Sequence, residues 1–300
     1  MVLLGRENTK FFHAMATERF RINAISSLID SVGNQVSDHE GKAAILWNAF
    51  RERMGVSMKP KMVFDLSELI EDKCDLMSHC LQITTKEIDE VVKRIPGDEA
   101  PRPDGFNGCF YKSSWGLIAQ DFYRLCADFC GNSADLSAIN YSYITWVPKK
   151  MAPQPPNDFR PISLMNFSVK IMCKVLADRI QSILTKLVHQ NQYGFIKGNS
   201  IEDYLAWAFE YIHQCKLSKR EIVLLKLDFE KAFDTIDHDA ILNEMTAMGF
   251  PPQWNEWITS MFSSTSTVVL LNGVPGKFFQ CKRGVRQGDQ YILCPPFCLP

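Results

Sequence analysis

The chain has 300 residues, 46% of them hydrophobic and 22% charged, and a formal net charge of −1. This composition belongs to a globular protein of one large domain or two ordinary ones, and it excludes a disordered chain or a generically basic nucleic-acid binder. No stretch reaches the ~20 apolar residues of a membrane span, and Met1 to Leu4 passes at once into polar sequence without a signal-peptide pattern.

Ten cysteines without a secretion signal imply reduced thiols and an intracellular location, nuclear or cytoplasmic. None forms a C-x-x-C pair, and no zinc site is assigned. The charge is unevenly spread: residues 1–140 carry 16 Lys and Arg against 20 Asp and Glu, whereas residues 141–300 carry 17 against 14. A local basic bias of this size permits polynucleotide contacts without requiring them.

In chain order, residues 5–22 read as a polar helix with Phe11, Phe12 and Phe20 as aromatic anchors. A hairpin follows, Ile25 to Ile29 and Gln35-Val36 about an Asp30-to-Asn34 turn. Asp38 or Glu40 opens a helix through Ala43, Leu46, Trp47 and Phe50 that stops at Gly55. Met58 to Phe64 reads as a loop, and Thr84 or Thr85 caps a helix from Glu87 to Ile95.

The Pro- and Gly-rich stretch from Pro96 to Phe106 marks a boundary. Beyond it, Ser113 to Cys130 carries a helical apolar stripe, and Tyr141 to Val147 alternates as a strand. A Pro-rich loop then extends to Ser163. Met172, Leu176, Ile180, Ile183 and Leu187 step with helical spacing, and a turn-rich linker spans 190–199. Ser200 starts the next helix, with Asp203 as its expected capping partner.

Ile222, Val223, Leu224, Leu225 and Leu227 form a near-continuous apolar run that predicts a strand buried on both faces, ending at Asp228. Asp237 or Asp239 caps a further helix that Gly249-Phe250-Pro251 terminates. Ser266 to Leu271, an Asn272-Gly273 turn and Lys277 to Lys282 read as a two-stranded ribbon.

Three clusters carry candidate chemistry. Asp228, Glu230 and Asp234 follow the apolar strand, where a fixed carboxylate can hold a divalent metal. Lys149, Lys150 and Arg160 flank the Pro-rich loop, and Arg283, Arg286 and Gln287 lie in a Gly-punctuated loop. Carboxylates for metal with cations for phosphate is the inventory of two-metal phosphoryl or nucleotidyl transfer. A Walker-B reading of Leu224 to Glu230 is set aside, because the chain has no G-x-x-x-x-G-K-[ST] loop.

The order of motifs adds a resemblance. Leu-Asp228-Phe-Glu-Lys-Ala-Phe233-Asp234 and Arg283-Gly-Val-Arg-Gln287-Gly288-Asp289 resemble the reverse transcriptase of non-LTR (LINE-type) retrotransposons, most closely those of plants. Pro103-Asp-Gly-Phe106, Trp146-Val-Pro-Lys149, Asn157-Asp-Phe-Arg160-Pro-Ile-Ser163 with Lys170 and Lys174, and Tyr193-Gly-Phe-Ile-Lys-Gly198 follow that family's fingers motifs in order. Gly5 to His13 resembles its linker from endonuclease to polymerase.

The resemblance implies an α+β fold, the fingers and partial palm of a right-hand polymerase with an incomplete palm sheet. Its division would be an N-terminal extension (1–95), a fingers region (96–220) and a truncated palm (221–300). It implies Asp228 as a catalytic, Mg²⁺-holding aspartate and Phe233 as the gate against a ribose 2′-hydroxyl, alternatively a core aromatic. Lys149 and Arg160 would contact the incoming dNTP, and Gln287 and Gly288 would line its pocket and the template path. RNA template and DNA primer are the implied partners, with no membrane; oligomeric state is left open.

Two departures stand out. Asn199 replaces the family's usual Arg, and the sequence after Asp289 runs Gln290-Tyr-Ile-Leu-Cys-Pro-Pro-Phe in place of Pro-x-Ser-Pro. A reading-frame shift near Gln290 is the expectation. No Asp-Asp pair occurs, so the Tyr-x-Asp-Asp hairpin with the second catalytic aspartate is missing. The chain alone is therefore expected to be inactive as a polymerase; the alternative is a catalytically dead nucleic-acid-binding or interaction protein on the same scaffold.

Overall fold

The computed structural model describes residues 8–57, 76–97, 99–187, 198, 200–225 and 231–286. Its centre is a four-stranded mixed sheet in the order β4-β3-β5-β6: β3 (Tyr141–Pro148), β4 (Phe159–Met165), β5 (Ser266–Leu271) and β6 (Val274–Gln280). β3 pairs antiparallel with β4 and parallel with β5, so residues 120 or more apart in sequence become neighbours. A buried hydroxyl pair, Ser142 and Thr267 at 3.0 Å, sits at one rung of that parallel register. Beside it, β5 and β6 close through Asn272 and Gly273, both at positive φ, as the Asn-Gly turn requires.

One face of the sheet is covered by α2 (His39–Met54). Asp38 caps this helix by accepting from the Gly41 amide. Leu46, Phe50 and Met54, spaced at four, pack with Ile144, Trp146, Phe159, Val269, Leu271 and Phe279 as one core cluster. Phe50 meets Trp146 edge-on at 5.0 Å. The small hairpin β1 (Leu28–Ile29) and β2 (Gln35–Val36) is fastened to the sheet by Asn272, whose amide both accepts from Ile25 N–H and donates to Ile25 C=O. The helix α1 (Asn8–Asn23) precedes it and touches β3.

A second, larger core joins α3 (Thr85–Arg94), α4 (Gly108–Cys130), α5 (Phe167–Gln181), α9 (His238–Ala247) and α10 (Pro252–Ser263). α3 begins with the full capping box, Thr84 and Glu87 exchanging hydrogen bonds. Trp254 and Trp257 are fully buried, and the Trp257 indole donates to the Cys130 carbonyl. The short α6 (Leu184–Leu187), α7 (Ile201–Leu217) and α8 (Ala232–Thr235) complete the helices among the described residues. None of these helices is long and apolar enough to cross a membrane.

Several expectations shift. The strand predicted over 222–227 is not formed at 221–225: Val223 is 96% and Leu225 76% exposed, and no described strand pairs with them. An apolar run becomes a strand only where a neighbouring edge takes up its backbone hydrogen bonds, and none of the four described strands of the sheet does so for 221–225. The loop expected to reach Ser163 becomes β4 from Phe159, because Trp146, Val147 and Pro148 offer antiparallel partners. Ser200 caps α7 with Glu202, not Asp203. The helical stripe at 172–187 breaks after Gln181 into α5 and α6, and the return strand starts at Val274 rather than Lys277. α10, which follows the Pro251 stop, was not anticipated; Pro252 at its first position is well suited to starting a helix.

Candidate functional site

The open face of the sheet carries the predicted basic residues. Side chains alternate along a strand, so Ser142, Ile144 and Trp146 of β3 turn toward the buried side while Tyr141, Tyr143, Thr145 and Val147 take the other. Val147 pairs with Arg160, and the Lys149 amide donates to Asp158 O at 2.8 Å, extending the same ladder. Arg160 therefore shares the face of Val147, and Lys149 follows just past the end of β3. Both are exposed. The Lys149 ammonium donates to Asn157 O at 3.0 Å, and Lys150 pairs with Asp158 at 2.9 Å. The Lys150 pair and the Gln154 amide hold the Asp158 carboxyl below its usual range.

The same face continues into an aromatic row. Tyr141 meets Tyr143 at 6.3 Å and Phe278 of β6 at 6.2 Å, with Phe278 exposed. Near the strand end the last turn of α1 comes over the face, and a cleft of about 410 Å³ opens between Arg19, Phe20, Thr145, Val147 and Leu270. Exposed cations at one end of a sheet face and half-buried tyrosines with an exposed Phe278 further along it are groups that can meet a polynucleotide, salt-dependent for phosphate and stacking for bases.

The third sequence cluster does not serve this way. Arg283 lies buried at the C-terminal end of α2, where its Nη2 donates to Glu52 O at 2.7 Å and its Nε to Arg53 O. A guanidinium there answers carbonyls that the helix leaves unpaired. Arg286 is buried and donates to Asn140 Oδ1. Two arginines expected to meet a ligand are therefore structural. Sequence reasoning missed this because Arg-Gly-Val-Arg has no pattern that separates a phosphate loop from a buried tie.

Around them the segment after the acidic cluster is fastened to the 283–286 loop. Val285 N–H donates to Phe233 O and Gly284 N–H to Ile236 O, each at 2.6 Å, and Asp237 bridges to Arg283. Gly284 has φ +78°, and a Cβ there would lie 2.5 Å from Asp234 O. His238 lies stacked on Phe262 at 4.0 Å with Nε2 2.9 Å from Gly284 O, and burial pushes its imidazole below the usual range. Phe233 is half-buried and packs against the larger core. Asp234 is buried.

Asp228, Glu230, Gln287 and Gly288, with the 58–64 loop and nearly all of the 190–199 linker, lie outside the described residues. Among the described residues no three His, Cys, Asp or Glu side chains come together as a metal centre. No disulfide joins the described cysteines. Burial pushes Cys126 up to about 12 and Cys281 up to about 11, so both behave as packing groups. Around Pro103 to Phe106, Lys170 pairs with Glu99 at 2.8 Å and the Asp104 amide donates to Asn166 Oδ1.

Comparison with known proteins supplies the context. Residues 147–291 match the family described as Reverse transcriptase (RNA-dependent DNA polymerase). The chain is 27% identical over 206 residues to the Transposon TX1 uncharacterized 149 kDa protein of Xenopus laevis, covering 69% of this chain and 16% of that protein. It is 26% identical over 216 residues to the Pol polyprotein of the R2DM retrotransposable element of Drosophila melanogaster, covering 71% and 20%. The RNA-directed DNA polymerase from mobile element jockey, also of Drosophila melanogaster, matches at 21% over 231 residues, covering 75% and 25%. The chain is thus similar to the reverse transcriptase family over residues 147–291 and to proteins of transposable elements more widely, and it spans a quarter or less of the length of these three relatives.

Proposed function

We propose that this chain is part of an RNA-directed DNA polymerase of a non-LTR retrotransposable element, of the plant type, and that the open sheet face is its nucleic-acid interface. One observation carries the interface: Arg160 lies on the sheet face that holds Tyr141, Tyr143 and Phe278, with Lys149 exposed just past the end of β3. The cations would neutralise phosphates of the incoming dNTP or the template, and the rings would support bases. The match over residues 147–291 supports the reaction class. The division into an extension (1–95), fingers (96–220) and palm (221–300) belongs to the same reading.

Asp228 is the proposed metal-holding carboxylate, and Gln287 and Gly288 the proposed pocket lining. Bound Mg²⁺ would supply activation of the primer 3′-hydroxyl and stabilisation of pyrophosphate. The described residues alone do not make such a centre, since Asp234 is buried and no Asp-Asp pair in the sequence offers a second catalytic carboxylate. Mg²⁺ demands near-octahedral oxygen ligation, which a single carboxylate supports poorly. Phe233 packs on the core, which supports the packing role beside the proposed gate.

We therefore read these 300 residues as binding nucleic acid without extending a primer by themselves. That keeps open a nucleic-acid-binding protein on a polymerase scaffold, favoured by the basic and aromatic face together with the missing Asp-Asp pair. The test is the purified chain with an RNA template, annealed DNA primer, dNTPs and Mg²⁺. Salt-sensitive binding without extension is expected. Extension that Asp228→Ala abolishes would overturn the inactive reading, and absent or salt-insensitive binding would overturn the interface. The frame shift proposed near Gln290 is checked by reading the nucleotide sequence past codon 289 in all three frames.

A further inference from the structure

We propose that α7 is a self-association helix, pairing antiparallel with α7 of a second copy of this chain. The first ground is exposure. α7 contributes no residue to either core cluster, and of its side chains Ala208 and Ile212 are half-buried and Cys215 buried. Leu205, Trp207, Tyr211 and Leu217 are exposed, and Phe209 is 69% exposed. A buried partner is the ordinary requirement of an amphipathic helix, and among the described residues neither core cluster supplies one for the exposed side of α7.

The second ground is the spacing of one seam. Glu202, Leu205, Phe209, Ile212 and Lys216 follow one another at intervals of three, four, three and four, the repeat that lays one stripe along a helix pair. The stripe is apolar in its middle, acidic at its first residue and basic at its last. Phe209 lies midway between Glu202 and Lys216. A two-fold axis passing near Phe209 therefore brings Glu202 beside Lys216 of the second copy, twice over, and opposes the two helix dipoles.

Charge complementarity also selects the occupant. A parallel pair would set Glu202 and Asp203 against the same residues, a like-charge cost. A polynucleotide is disfavoured by Glu202, Asp203 and Glu210 on the helix, all exposed. Glu202 keeps its charge, since hydrogen bonds from Ser200 and its own amide hold its carboxyl low. Beyond the helix, Val223, Leu224 and Leu225 extend the exposed apolar surface. The inference does not depend on the polymerase reading.

Sedimentation of the full chain over roughly 1–100 µM, where one helix pair of this size is expected to titrate, tests it. A reversible dimer is expected, and Phe209→Asp should leave a monomer with unchanged far-UV circular dichroism. Lys216→Glu should weaken the dimer by about tenfold or more, and Glu202→Lys combined with Lys216→Glu should restore it. Because these side chains are exposed, the variants leave both cores intact. A chain that stays monomeric throughout, a dimer indifferent to Phe209→Asp, or a double variant weaker than Lys216→Glu alone would each overturn the proposal.

Discussion

The Arg286 guanidinium donates to the Asn140 side-chain oxygen at 2.6 Å, and the two residues are 4% and 0% exposed. Asn140 spends its amide on Met261 O, Ser264 Oγ and Thr265 Oγ1, so one side chain ties the start of β3, the end of α10 and the 283–286 loop. The Arg286 Nη1 has no protein partner. A buried charge with so few acceptors depends heavily on the ones it keeps. Asn140→Ala should therefore cost about 3–5 kcal/mol in chemical denaturation, whereas Arg286→Met should cost far less, since it removes the charge along with its need. Arg286→Met should also leave the salt dependence of RNA binding unchanged.

Gly284 has a distinct vulnerability. Its positive φ and the 2.5 Å approach of Asp234 O to a would-be Cβ leave no room for a side chain. Gly284→Ala should cost about 1–2 kcal/mol from backbone strain alone, before the clash is counted. Thermal unfolding with and without the substitution measures it. Because this loop leads into Gln287 and Gly288, the variant should also weaken primer–template binding under conditions where it remains folded.

Two carboxylates set opposite pH limbs. Burial raises Glu87, but the Arg179 hydrogen bonds and those from Thr84 outweigh it and bring it down to about 2. A depressed carboxyl stabilises the fold above its unfolded value of 4.5 and loses that contribution as pH falls toward 2. Glu87→Gln should flatten the acid limb across that window.

Glu244 behaves in reverse. It is buried with Oε1 unpartnered, and desolvation raises its carboxyl from 4.5 to about 7. A raised carboxyl favours the fold fully below pH 4.5, and the advantage disappears as pH climbs through 7. Glu244→Gln should be more stable than the parent at pH 8, and the difference between the two should shrink toward pH 4. An unchanged difference across that range would remove Glu244 from the account.

At the proposed interface, Lys149→Ala and Arg160→Ala should each lower the slope of log affinity against log salt by about 1 for an RNA ligand. Neither should shift the denaturation midpoint much, because both side chains stand exposed at the end of the β3–β4 ribbon. Arg283→Ala should do the opposite: it should destabilise the fold by uncovering the end of α2 and leave the salt slope alone.

The sequence by itself determined what is local. Each of three helix starts was narrowed to two cap candidates, of which Thr84, Asp38 and Asp237 serve, and Asn272-Gly273 names its turn, because these signals act within a few residues. The ordered motifs likewise pointed to polymerase chemistry, and Arg160 stands exposed on the β3–β4 face opposite Val147. Only the tertiary structure decided how distant segments pair. The parallel register of Ser142 with Thr267, the burial of Arg283 and Arg286, and the failure of 221–225 to enter the sheet all depend on which edge or carbonyl lies alongside. An Arg or a run of Leu and Val reads the same in sequence whether its partner is water or protein, and that exchange of partners is settled only when the chain has packed.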